Sequence, residues 1–119
     1  MKLVLAGQAK TLEPLNLQGI YHIQKELFNS YPYWNQLNGS NSIWFGKEDV
    51  GKQWEKRKNY RYWHVGQSRY LGEDIGEIFG PRGIVVSPSR ITSGWRYHSN
   101  GWKEAEFSEI IFQDISPSK

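Results

Sequence analysis

Trp95, Tyr97 and Trp102, with Asn100 and Glu104 close by, are the residues whose types and spacing suggest chemistry first. That chemistry is recognition: the apolar C–H faces of a sugar stack on indole and phenol rings, while amide, carboxylate and guanidinium groups hydrogen-bond its hydroxyls. Asn100-Gly101 is a strong hairpin signal, because both central residues of a type I′ turn need positive φ. A two-residue turn there places Trp95, Tyr97 and Trp102 on one face and Arg96, His98, Lys103 and Phe107 on the other. The two faces are competing ligand sites, rings with Asn100 on one side or Arg96 with His98 on the other. If the ring face is the inner face of the hairpin, only the second version survives.

A second surface is written in Lys52, Trp54, Lys56, Arg57, Lys58, Tyr60 and Arg61, where cations interleave with rings. Single-stranded nucleic acid is held this way, bases on aromatics and phosphates on Lys or Arg. Glu48, Asp49 and Glu55 dilute that charge, Glu73, Asp74 and Glu77 follow, and no RNP-type or KH-type motif is present. A solvated charged face is the plainer reading, so nucleic acid ranks behind a glycan or protein partner.

Catalytic and metal chemistry finds little support. His22, His64 and His98 each fall on a predicted strand without the spacing of a metal site, which suits polar partners in an aromatic core better than a zinc centre. No Gly-x-Ser-x-Gly elbow, no phosphate-cradling glycine motif and no alternating Asp calcium loop occurs, and nothing singles out a carboxylate pair such as Glu26 and Glu48. The expectation is a non-enzymatic module with no catalytic residue, no metal and no cofactor.

Positioning these residues requires strands. Asn59–Gln67 alternates Tyr60, Tyr62 and His64 with Arg61, Trp63 and Val65, large groups on both faces, and reads as the central strand. Before it come a strand over Met1–Ala6, a connection over Gln8–Gln18 broken by Pro14, and a strand within Gly19–Leu27. Asn38-Gly39 then turns a hairpin that sets Trp34 opposite Ile43. Gly46–Lys58 carries acids early and bases late, as the helix macrodipole prefers, and is the one candidate helix. Ser68–Gly83 is punctuated by Gly72, Gly76, Gly80 and Pro81 and reads as an ordered loop, followed by a short buried strand at 84–86 and a closing strand over Glu109–Ile115.

The chain has 119 residues, a net charge of +3, six Trp, seven Tyr and no Cys. Its length suits one β domain over 1–119 with a core of its own. Lacking cysteine, it has no disulfide framework or thiolate site, which fits a reducing compartment. The apolar run at the N-terminus stops at Gly7, too short for a signal-peptide core, and no run approaches a membrane span. A soluble, cytoplasmic protein without a membrane partner is expected. Aliphatic residues are few beside so many rings, so the rings must supply much of the core and the remainder are candidates for a working surface.

The order Gly19-Ile-Tyr-His, Tyr31-Pro-Tyr-Trp, Gly39 with Ile43-Trp-Phe, Tyr62-Trp-His-Val-Gly, then Pro88, Trp95 and Asn100-Gly-Trp resembles a degenerate aromatic β-repeat of protist and marine invertebrate proteins, mostly without assigned activity. The resemblance covers about Leu15 to Ile111, with Gly46–Lys58 as an insertion. It implies a β binding module and carries over no catalytic residue. Together with the frequent turn signals, it leads to an all-β fold, a small antiparallel β-sandwich or partly closed barrel with at most one short helix near 47–58.

Overall fold

Side chains that alternate along each segment give the chain its strands. The computed structural model describes residues 2–9, 12–46, 48–49, 58–59, 61–73, 75–83, 85, 87–99, 101–106 and 108–115. Its strands are β1 (Lys2–Ala6), β2 (Gly19–Ile23), β3 (Trp34–Gln36), β4 (Asn41–Phe45), β5 (Glu48–Asp49), β6 (Lys58–Asn59), β7 (Trp63–Gln67), β8 (Ile78–Phe79), β9 (Arg96–His98), β10 (Trp102–Glu104) and β11 (Ile111–Ile115). All but β5 and β6 form one antiparallel sheet in the order β10-β9-β8-β7-β4-β3-β2-β1-β11, curled into a half-barrel. Of the two architectures open to the sequence, the partly closed barrel is the one formed.

The register explains the core. Trp34 lies opposite Ile43, Ile43 opposite Val65, Val65 opposite Ile78 and Ile78 opposite Tyr97, one row of inward side chains crossing five strands. Leu3, Leu5, Tyr21, Phe45, Trp63 and Phe112 fill the space around it, all buried. Each such side chain contributes about 1.5–3 kcal/mol by leaving water.

The Pro14 connection caps this core. Leu12 and Leu17 are buried, and Gln36 Nε2 donates to the carbonyls of Asn16 at 2.6 Å and Gln18 at 3.0 Å. Asn41 Nδ2 donates to Gln36 Oε1 at 2.9 Å, which fixes the Gln36 amide. Tyr21 Oη donates to the Leu17 carbonyl at 2.6 Å, and burial pushes its phenol up from the ordinary value. Sequence-local polar groups thereby hold an irregular segment whose backbone would otherwise lack partners.

Several sequence expectations meet their outcome here. The Asn38-Gly39 hairpin has the anticipated register, with Asn38 at φ 58°. The helix near 47–58 does not span its segment: Glu48 pairs with Asn59 and Asp49 with Lys58, so both ends are antiparallel strand, and 50–57 lie outside the described residues. Gly51 and the flanking strand-formers outweigh a favourable charge order that contributes only a few tenths of a kcal/mol, roughly, per pair. Ser68–Gly83 is not all loop, since Ile78 and Phe79 make β8 between β7 and β9. Val85, from the strand expected at 84–86, is not in a strand; its carbonyl accepts from Trp63 Nε1 at 3.0 Å, and 84 and 86 lie outside the described residues. Among the described residues no helix is long and apolar enough to cross a membrane.

Candidate functional site

The last hairpin decides which candidate residues can meet a ligand. His98 pairs with Trp102, Lys103 with Tyr97 and Glu104 with Arg96, which leaves residues 99–101 between the strands, one more than a two-residue turn. Gly101 carries φ +104°, the left-handed residue that ends a three-residue hairpin loop. One extra residue sends every later side chain to the opposite face. Trp102 and Glu104 therefore join Arg96 and His98 on the outer face, while Lys103 shares the inner side with Tyr97.

Trp95 and Tyr97 do not stack on a ligand. They are 3% and 6% exposed, with Trp95 against Phe112 at 4.6 Å and its Nε1 donating to the Ile91 carbonyl at 3.2 Å. The expected ring trio is thus divided, two members in the core and one outside. Asn100 lies outside the described residues.

Trp102 is the exposed member, at 50%. Its indole reaches across β9 to stack on Phe79, centroids 4.8 Å apart at 28°, and meets His98 edge-on at 5.4 Å. Phe79 is itself fixed: it meets His64 edge-on at 4.9 Å and Tyr62 at 5.3 Å. His64 lies between Tyr62 at 4.6 Å and Trp44 at 5.4 Å, nearly parallel to both. An unbroken run of ring contacts therefore leads from fully buried Trp44 to half-exposed Trp102. Such offset-stacked and edge-on pairs contribute about 0.5–1.5 kcal/mol each beyond area burial. Their effect here is to hold one indole face against Phe79 and turn the other toward solvent, with exposed Arg96, His98 and Glu104 on the same side of the sheet.

Phe79 is the residue that sequence reading misplaced, because a two-residue strand between glycines carries too short an alternation to reveal that Ile78 points in and Phe79 out. The buried stack around His64 also settles its geometry: Nδ1 lies 2.9 Å from the Tyr62 carbonyl, so Nδ1–H is the donor. The three histidines do not converge. His22 on β2 is separated from His64 on β7 by β3 and β4, and β8 intervenes between His64 and His98. Among the described residues no group of three or more His, Asp or Glu side chains could hold a metal.

Of the basic and aromatic segment, Lys52, Trp54, Lys56, Arg57 and Tyr60 lie outside the described residues, and Lys58 is described only as part of β6. Arg61 turns inward. Its guanidinium sits over the rings of Phe45 at 5.4 Å and Tyr31 at 5.7 Å, and Nη2 donates to Tyr31 Oη at 3.0 Å. That is a partly buried cation–π arrangement rather than a cation held out to a phosphate.

Beneath the site, Tyr97 Oη donates to Glu109 Oε2 at 2.6 Å and the Glu106 N–H donates to Glu109 Oε1 at 2.9 Å. The Glu106 N–H first, and the Tyr97 hydroxyl next, hold the Glu109 carboxyl below the usual carboxylate range; the same bond and burial push the Tyr97 phenol up. A lowered carboxyl contributes stability that is complete above its unfolded value and disappears as pH falls through its folded one. A raised phenol contributes stability that is complete below its unfolded value and disappears as pH rises through its folded one. Tyr97→Phe is expected to cost about 1–2 kcal/mol at neutral pH. In urea titrations that cost should shrink on acidification through the carboxylate range and again on alkalinisation beyond the ordinary phenol value.

Comparisons of the chain with protein-family models, with curated proteins and with solved structures give no match, so the site stands on its own geometry.

Proposed function

We propose that this chain is a non-enzymatic recognition module that binds carbohydrate through Trp102, with Arg96, His98 and Glu104 as its polar contacts. The observation that carries the reading is the half-exposed Trp102 indole, backed by Phe79 on one face and open on the other. A pyranose ring needs such a supported apolar plane for its C–H face. Around it, Arg96 donates, Glu104 accepts and His98 does either, which matches hydroxyls that are both donors and acceptors. The resemblance of the motif order to an aromatic β-repeat points the same way, toward a binding module. A shallow site with one ring supports affinities on the order of millimolar, about 4 kcal/mol, so multivalent presentation is the appropriate assay.

Binding to an immobilised glycan array, followed by titration of retained sugars, tests this. Trp102→Ala is expected to abolish retention while changing stability by about 1 kcal/mol or less, because only the Phe79 stack is lost. An array that retains nothing, or retains the variant equally, removes the carbohydrate reading.

A further inference from the structure

The two edges of the sheet are treated differently. At one edge, β11 is packed by the short 3-10 turn Pro88–Arg90, with Ser89 Oγ donating to Asp114 Oδ2 at 2.8 Å. At the other, all three residues of β10 are exposed, and its sole neighbour is β9. Natural sheets rarely leave an edge bare without a device against wrong pairing.

The hydrogen bonds around β10 show which groups its edge offers. Ser99 N–H donates to the Gly101 carbonyl at 2.9 Å and Ala105 N–H to the Trp95 carbonyl at 2.7 Å, with Lys103 opposite Tyr97 between them. In an antiparallel ladder the hydrogen-bonded pairs alternate. Residues 101, 103 and 105 therefore direct their backbone toward β9, and Trp102 and Glu104 direct theirs outward.

We propose that the β10 edge is a docking site for an extended peptide segment of a partner protein, one that carries an acidic side chain opposite Lys103. The outward N–H and C=O groups of Trp102 and Glu104 supply the ladder, as in other strand-addition modes. Charge selects the occupant. A second copy of this chain paired antiparallel through both outward residues would set Lys103 opposite Lys103, with like charges at the closest cross-strand spacing. An Asp or Glu there replaces that repulsion with attraction. Glu109 is the carboxylate that already feels Lys103, but it is engaged by Tyr97 and the Glu106 N–H. Lys103 is exposed beside it and free to face an incoming strand.

This surface goes beyond the sugar reading, since stacking on the open indole face needs no backbone pairing, and either can fail alone. The test uses two blocked seven-residue peptides, Thr-Val-Thr-Asp-Thr-Val-Thr and the same sequence with Lys at its centre, titrated into the full chain by amide NMR. The Asp peptide is expected to bind about fivefold to tenfold more tightly, to shift the Trp102 and Glu104 amides most, and to slow their exchange with solvent. Glu104→Pro removes one outward donor without touching the β9 ladder, since proline is tolerated where the N–H faces solvent, and should abolish binding. Lys103→Glu should reverse the preference toward the Lys peptide, which keeps the test decisive if the proline variant fails to fold. Absence of binding by both peptides, equal binding of both, survival of binding in Glu104→Pro, or concentration-dependent self-association through β10 would each overturn the proposal.

Discussion

Trp63→Ala is expected to cost about 3–5 kcal/mol, against a total stability of about 5–15 kcal/mol for a domain of this kind. Trp63 is fully buried, meets Phe45 edge-on at 5.3 Å, lies 5.6 Å from Trp34, and donates its Nε1 proton to the Val85 carbonyl. Truncation leaves a cavity between two rings that are themselves pinned by strand pairing, so the site cannot collapse to fill it. It also orphans the Val85 carbonyl. With a urea dependence of about 1–3 kcal/mol per molar, the unfolding midpoint should fall by roughly 1 M or more. Trp102→Ala changes the same residue type on the same sheet and should leave the midpoint nearly in place. Equal losses in the two variants would contradict the division of indoles into structural and working ones.

That division shows how far the sequence could be read. The chain was expected to own more rings than its interior absorbs. Trp34, Trp44, Trp63 and Trp95 are nevertheless all buried, and among the described tryptophans Trp102 alone is half exposed. Period-two alternation assigned the inward side of β7 and the Trp34–Ile43 pairing correctly, because those strands are long enough for pattern to dominate. Trp44 shows the limit: it points away from the core yet is fully buried, stacked on His64, and alternation alone has no term for a second layer of rings.

The site itself was only half legible. Arg96, His98 and Trp102 were all marked, but Trp102 was set on the wrong side of its hairpin. Asn100-Gly101 fits both a two-residue turn and a three-residue loop ending in a left-handed glycine, and local sequence does not choose between them. The choice is made at a distance. Tyr97 must enter the row begun by Trp34, and Ala105 must return its N–H to Trp95, which together fix the register of β10. Once that register is set, Phe79 becomes the support under Trp102, a role no spacing in the sequence announces.

Gly7→Ala is the other substitution expected to have a large effect, again about 3–5 kcal/mol. Gly7 has φ +137°, a conformation that costs an L-residue on the order of 1–3 kcal/mol. A Cβ at this position would also run into the backbone carbonyl of Glu109 and come within 3.0 Å of the Ile110 nitrogen. Neither can yield easily, because Gln8 N–H donates to the Ser108 carbonyl at 3.1 Å and Ala9 N–H to the Glu109 carbonyl at 3.0 Å, tying the exit of β1 to the entry of β11. Overpacking of that kind adds about 1–3 kcal/mol. Gly83→Ala separates the two causes. Gly83 has a similar φ of +131°, but nothing lies within 4 Å of its would-be Cβ, so its variant should show the backbone strain alone. Parallel urea titrations should therefore place Gly7→Ala well below Gly83→Ala. Because Glu109 also anchors Tyr97, displacement of the 108–110 turn should blunt the acid dependence described for the Tyr97–Glu109 pair. Indistinguishable midpoints for the two glycine variants would mean that the β1–β11 junction gives way at little cost, and that the closing strand is held by its ladder rather than by this crossing.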